Sequence, residues 1–89
     1  MSPSPEDSAA WHELLRTDVT RFNDEYAKLP EKALINLRDL DLSGLDLTQA
    51  HITGVDLSGS CLDRSQLPES ELKYCRLVGT SFNEVQWAR

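Results

Sequence analysis

The sequence predicts a mainly β chain, wound as a short four-sided parallel coil behind one or two N-terminal α-helices. Three observations predict it. A large apolar residue recurs at every fifth position from Leu37 to Trp87; a second column, two positions earlier, is small or apolar and never charged; and helical apolar spacing is confined to the first 34 residues. The 89 residues suffice for one folding unit, read as a helical cap over 1–34 and a repeat region over 35–89.

In the first part, Trp11, Leu14, Leu15, Val19, Phe22, Tyr26 and Leu29 follow at steps of three, four or seven, which lines one face of a helix. Ser4 with Pro5, or Asp7 with Ser8, is suited to open it, because short oxygen-bearing side chains accept from the free N–H groups of a first turn. "RTDV" reads as a break between two short helices, with Thr17 or Asp18 capping the second. Pro30 forces an end, since proline has no N–H and restricts the residue before it.

From Ile35 onward the central column is Leu37, Leu42, Leu47, Ile52, Leu57, Leu62, Leu67, Leu72, Leu77, Phe82 and Trp87. The column two places earlier is Ile35, Leu40, Leu45, Ala50, Val55, Ser60, Ser65, Ser70, Cys75, Thr80 and Val85. A step of five turns an α-helix by about 140°, so the column would spiral and form no face. In one continuous strand an odd step sends successive leucines to opposite sides. A three-residue extended piece followed by a two-residue corner satisfies the pattern: the first and third residues point inward and the second points out. Gly44, Gly54, Gly59 and Gly79 all fall at the second corner position, where a positive φ is expected. Four right-angled corners return the chain above its start after twenty residues, so Leu37 should stack on Leu57 and Leu77, Leu42 on Leu62 and Phe82, Leu47 on Leu67 and Trp87, and Ile52 on Leu72.

The quintets "LDLSG", "LDLTQ", "AHITG" and "VDLSG" resemble pentapeptide repeats, in which a small residue, Asp or Asn, a central Leu or Phe and two polar or glycine residues recur. The resemblance implies a right-handed quadrilateral β-helix, here of about 2.75 coils from eleven quintets. "LLRTDVTRFNDEYAKLP" is similar to the helical cap that some members place before the first coil. "SQLPE", "SELKY" and "CRLVG" depart from the pattern, so their corners are expected to be irregular. "LINLRDLDL" also resembles a leucine-rich repeat, but such a unit needs more than about twenty residues and contains a helix or turn, against the unbroken five-residue step.

Charge gives the functional expectation. The chain carries nine Lys and Arg against fifteen Asp and Glu, net −6, which opposes direct nucleic-acid binding and favours a protein partner with a basic surface. All of that charge lies in residues 1–59, and Asp39, Asp41, Asp46 and Asp56 are the candidate partner-binding acidic surface. Leu72, Leu77, Phe82 and Trp87 end the stacks, two residues short of Arg89, and are expected to form an end cap or the interface of a homodimer joined through the C-terminal coil, as the resemblance implies. His12 and His51 lack neighbouring ligands, Cys61 and Cys75 fall on different faces and are read as reduced thiols, and Ser60, Ser65 and Ser70 are inward small residues without a base. No catalytic, cofactor-binding or metal site follows, and the expectation is a non-enzymatic module. With no signal peptide and no run of eighteen apolar residues, a cytoplasmic location without membrane contact is expected.

The main expectation is therefore an acidic protein-binding module. An alternative is a small inhibitor, a partial DNA mimic that blocks a nucleic-acid-binding complex. The resemblance suggests DNA gyrase as such a target, and the size and charge also suit a phage-defence (CRISPR-type) effector. Duplex DNA carries about eight charges per 13 Å, whereas the repeat region nets −3, so the mimicry is partial. A structural spacer, or a fragment of a longer repeat protein, is the remaining class.

Overall fold

A computed structural model describes residues 3–30, 33–68 and 72–88. The elements in order are α1 (Ser8–Thr17), α2 (Val19–Ala27), β1 (Ile35–Asn36), β2 (Val55–Asp56), β3 (Gln66–Pro68) and β4 (Gln86–Ala88). Asp7 caps α1 by accepting from Ala10 N at 3.3 Å. Asp18 closes α1 with its own N–H, donated to Leu14 O at 2.8 Å, and opens α2 by accepting from Arg21 N at 3.0 Å. One short carboxylate thus turns the chain between two helices, which fits the preference of aspartate for positions where backbone donors are free. The buried faces are Trp11 and Leu15 on α1 and Phe22 and Glu25 on α2.

Every strand pair and isolated bridge is parallel and joins residues twenty apart. β1 pairs with β2 (Ile35 opposite Val55), β3 pairs with β4 (Leu67 opposite Trp87), and single bridges join Asp41 to Cys61, Asp46 to Gln66, Asp56 to Arg76 and Cys61 to Ser81. The predicted stacking of leucines follows from this register. The second corner residue takes a positive φ at Gly44, Gly54, Gly59 and Gly79, between 69° and 75°, and also at Asp39, Arg64, Tyr74 and Glu84, between 57° and 62°. Glycine marked only half of these corners in the sequence. The other four carry side chains and take the left-handed region at a cost of about 1–2 kcal/mol each; Arg64 is pinned from both sides, by Gly44 N to Asp63 O and by Arg64 N to Asn83 O. Gln49 is the exception: it keeps a negative φ, and α2 grips this corner. Asn23 donates Nδ2 to Gln49 O at 2.8 Å and accepts from His51 N at 2.8 Å. The corner around Glu69, and Ser70 in the small column, lie outside the described residues.

The helices lie against the first coil, residues 35–54. Asn36 donates its N–H to Pro5 O at 2.8 Å, the Tyr26 hydroxyl donates to Thr53 O, and Trp11 and Phe22 meet edge to face at 5.4 Å in one cluster with Leu37, Leu42, Leu47 and Ile52. Burial then falls along the stack. The central residues from Leu37 to Leu67 are at most 2% exposed, Leu72, Leu77 and Phe82 are half-buried, and Trp87 is 47% exposed.

Two glycines with the same backbone should separate strain from crowding. Nothing lies within 4 Å of a methyl added at Gly44, whereas one added at Gly59 runs into the Asp39 carboxylate. Gly44→Ala is expected to cost about 1–2 kcal/mol from the left-handed backbone alone. Gly59→Ala should cost about 1 kcal/mol more, and the excess should vanish when Asp39→Gly is added. Urea midpoints of the four variants test this; equal losses at the two glycines would exclude the crowding.

Candidate acidic interaction surface

The outward column of the coil serves the corners first. Asp41 Oδ1 accepts from Ser43 N at 3.1 Å and from Ser43 Oγ, and Asp46 Oδ1 accepts from Thr48 N at 3.1 Å and Thr48 Oγ1 at 2.8 Å. Asp56 Oδ1 accepts from Ser58 N at 3.1 Å, and Asn36 Oδ1 accepts from Arg38 N at 3.1 Å. This is the local Asp–x–Ser/Thr arrangement in which a side chain takes the N–H that a turn leaves free. It explains why the quintet wants Asp or Asn followed, two places on, by a hydroxyl.

The four candidate aspartates are not equivalent. Asp41 and Asp46 are exposed, and their Oδ2 atoms make no hydrogen bond among the described residues. The Ser43 and Thr48 donors hold the two carboxyls below the usual carboxylate range, so both stay charged at neutral pH. Asp39 is exposed at a left-handed corner and overlies Gly59. Asp56 is 7% exposed and lies 3.7 Å from Arg38 Nε, in a polar cleft with Glu6, Asn36 and Arg76. Burial pushes its carboxyl up, but the Ser58 donors and the Arg38 and Arg76 guanidinium groups together bring it below the ordinary value. Asp56 therefore carries a charge that is internally neutralised, and the exposed carboxylates of the first coil are those of Asp39, Asp41 and Asp46.

Asp63, which the sequence reading did not single out, ties two coils together. It accepts from Ser81 Oγ and from Asn83 N at 2.9 Å, and these donors lower its pKa from 3.8 to about 2. A depressed folded pKa contributes stability that is present above 3.8 and lost as pH falls towards 2. Thermal midpoints should accordingly be flat near neutrality and fall over that acid window, and Asp63→Asn should lie lower at neutral pH with a shallower acid limb. An acid limb that Asp63→Asn leaves unchanged would remove Asp63 from this role.

At the other end, the structure brings Phe82 and Trp87 together, with ring centroids 5.7 Å apart and planes at 33°. Leu72, Leu77 and Phe82 are half-buried and pack against the core, whereas Trp87 is exposed. Two further apolar side chains, Tyr74 at 85% and Val78 at 80% exposure, project from corners where most other quintets carry polar or charged residues or glycine. Their signal was present as apolar residues in the polar corner columns. Both cysteines are unpaired, and burial raises the pKa of the Cys75 thiol, which donates to Ile52 O at 2.8 Å.

Comparison with known proteins adds one finding. The family model for pentapeptide repeats matches residues 35–67 and 50–86 with eight copies, together more than half of the chain. This repeat implies a β-helix, consistent with pairing at intervals of twenty. No curated protein and no solved structure matches the chain. Among the described residues no helix is long and apolar enough to cross a membrane.

Proposed function

The chain belongs to the pentapeptide-repeat family, and from that premise we infer that it is a non-enzymatic binding module whose acidic first coil engages a basic surface on a partner protein. One observation carries the reading. Asp41 and Asp46 stand exposed on adjacent faces of the rigid first coil, each with one carboxylate oxygen fixed by its corner and the other unpaired among the described residues. Carboxylates held this way lose little side-chain freedom on contact with Lys or Arg, which lowers the entropic cost of association. Asp39 extends the same surface, and the −6 net charge of residues 1–59 adds long-range attraction.

Asparagine keeps the corner-holding oxygen and removes the charge, so the triple variant Asp39→Asn, Asp41→Asn, Asp46→Asn tests binding separately from folding. Its denaturation midpoint should fall somewhat, because the Ser43 and Thr48 donors favour the charged carboxyls, but the neutral amides still accept at the corners and the chain should remain folded under the binding conditions. Against the partner captured from a bacterial lysate, affinity at low salt should fall roughly tenfold or more, and the salt dependence should flatten. Unchanged, salt-insensitive capture would refute the acidic-surface reading and favour a structural spacer. Competing duplex DNA in the same experiment separates the inhibitor reading: DNA that displaces the chain from its partner places that partner among nucleic-acid-binding complexes.

A further inference from the structure

A polar cleft on the first side of the coil is built from three levels of the stack. Asn36, Asp56 and Arg76 lie in parallel register at steps of twenty, so rungs about 4.8 Å apart set Asn36 and Arg76 at opposite ends, roughly 10 Å from each other, with Asp56 between them. Glu6 belongs to the Asn36 end, because its neighbour Pro5 accepts from Asn36 N at 2.8 Å. Leu34 and Arg38 complete the lining of a space of about 190 Å³. Pockets for drug-sized molecules measure roughly 300–1,000 Å³, so this smaller cleft suits a ligand of one or two residues.

The lining carries two positive and two negative groups. Asp56, 7% exposed, accepts on one oxygen from Ser58 N at 3.1 Å and holds the other 3.7 Å from Arg38 Nε. One buried carboxylate balances one guanidinium, which leaves Arg76 and Glu6, both exposed, as a positive and a negative group at opposite ends of the same cleft. Among the described residues the side chains of Arg76 and Glu6 make no hydrogen bond, and neither does Asn36 Nδ2, whose Oδ1 accepts from Arg38 N at 3.1 Å. A simple anion would meet the Glu6 and Asp56 carboxylates, and a simple cation would meet two guanidinium groups, so neither charge alone is matched.

We propose that this cleft binds a small zwitterion of dipeptide size. Its carboxylate accepts from the Arg76 and Arg38 guanidinium groups, its ammonium donates to Glu6, and the peptide carbonyl between them accepts from Asn36 Nδ2. Leu34 offers the apolar contact for a small side chain. A dipeptide fits better than a free amino acid, whose two charges sit side by side and do not reach both ends of the cleft. The inference goes beyond the acidic-surface reading and does not depend on it, since Asp41 and Asp46 stand on the next two sides of the coil.

The test is an amide NMR titration of the intact chain with alanyl-alanine, with N-acetyl-alanyl-alanine, which lacks the ammonium, and with alanyl-alaninamide, which lacks the carboxylate. The expected result is saturable binding of alanyl-alanine in the millimolar range, with shifts at Asn36, Arg38, Asp56 and Arg76, and roughly tenfold weaker binding of each blocked peptide. Glu6→Gln should lower the affinity for alanyl-alanine to that for its N-acetyl form, and Arg76→Gln should lower it to that for the amide; both positions are exposed, so the fold stays intact. Asp46→Asn should change none of the three affinities. An absence of saturable shifts, equal binding of the three peptides, shifts that map elsewhere, or a Glu6→Gln chain that still discriminates against the N-acetyl peptide would each overturn the proposal.

Discussion

Leu62→Ala is expected to remove about 3–5 kcal/mol of stability, the upper part of the range for a buried leucine. Leu62 is fully buried, and the register places it between Leu42 below and Phe82 above. Its neighbours cannot collapse into the space, because the backbone is pinned on both sides: Leu42 N donates to Cys61 O at 2.8 Å and Leu62 N to Ser81 O at 2.9 Å. A protein of 89 residues has a total stability of roughly 5–13 kcal/mol, so this one truncation consumes a large share. Leu77→Ala, one coil further along and half-buried, should cost only about 1–2 kcal/mol because part of that side chain is already in water. Urea denaturation of both variants decides the matter. Equal losses would mean that burial does not fall along the stack as the structure has it.

Trp11→Ala is expected to cost a similar amount, about 3–5 kcal/mol. The indole is fully buried, packs edge to face on Phe22 and donates Nε1–H to Ser4 O at 2.8 Å. It belongs to one cluster with Leu37, Leu42 and Leu47, so helices and coil should melt in a single transition and the coil should not survive the loss of its helical cover. Two separate transitions, with the coil signal retained, would show that the helices fold apart from it. The other tryptophan supplies the contrast. Trp87 is 47% exposed, and Trp87→Phe should remove the red-shifted part of the fluorescence with little change in midpoint, while Trp11→Phe removes the blue-shifted part.

The two predictions rest on different levels of legibility. The column containing Leu62 was readable because a five-residue period is compatible with neither regular helix nor continuous strand, leaving a corner at each quintet. Glycine at four second-corner positions located those corners, and the helix break at Asp18 was readable from its capping chemistry. Arg64, Tyr74 and Glu84 were not readable as left-handed residues, because nothing in their side chains asks for a positive φ, and Asp39 carried only the mild tolerance of aspartate for that region. The coil turns there because the chain is held one coil away, as where Asp39 N donates to Ser58 O and Arg64 N to Asn83 O. Asn23 gave no local signal either, since its two bonds to Gln49 and His51 join residues more than twenty-five apart.

The acidic surface divides in the same way. Composition and column placed Asp39, Asp41, Asp46 and Asp56 on the outside, and in sequence Asp41, Asp46 and Asp56 are alike, each two residues before a serine or threonine. Only the folded chain separates them, because Arg38 comes over Asp56 and Arg76 arrives from the next coil, leaving a buried, paired carboxylate where the other two are open. The repeat period and the caps are properties of neighbours along the chain, and the sequence by itself determined them. Which carboxylate stays free, which corners bend left-handed and how burial falls from Leu37 to Trp87 depend on what lies one coil away, and tertiary structure decided those.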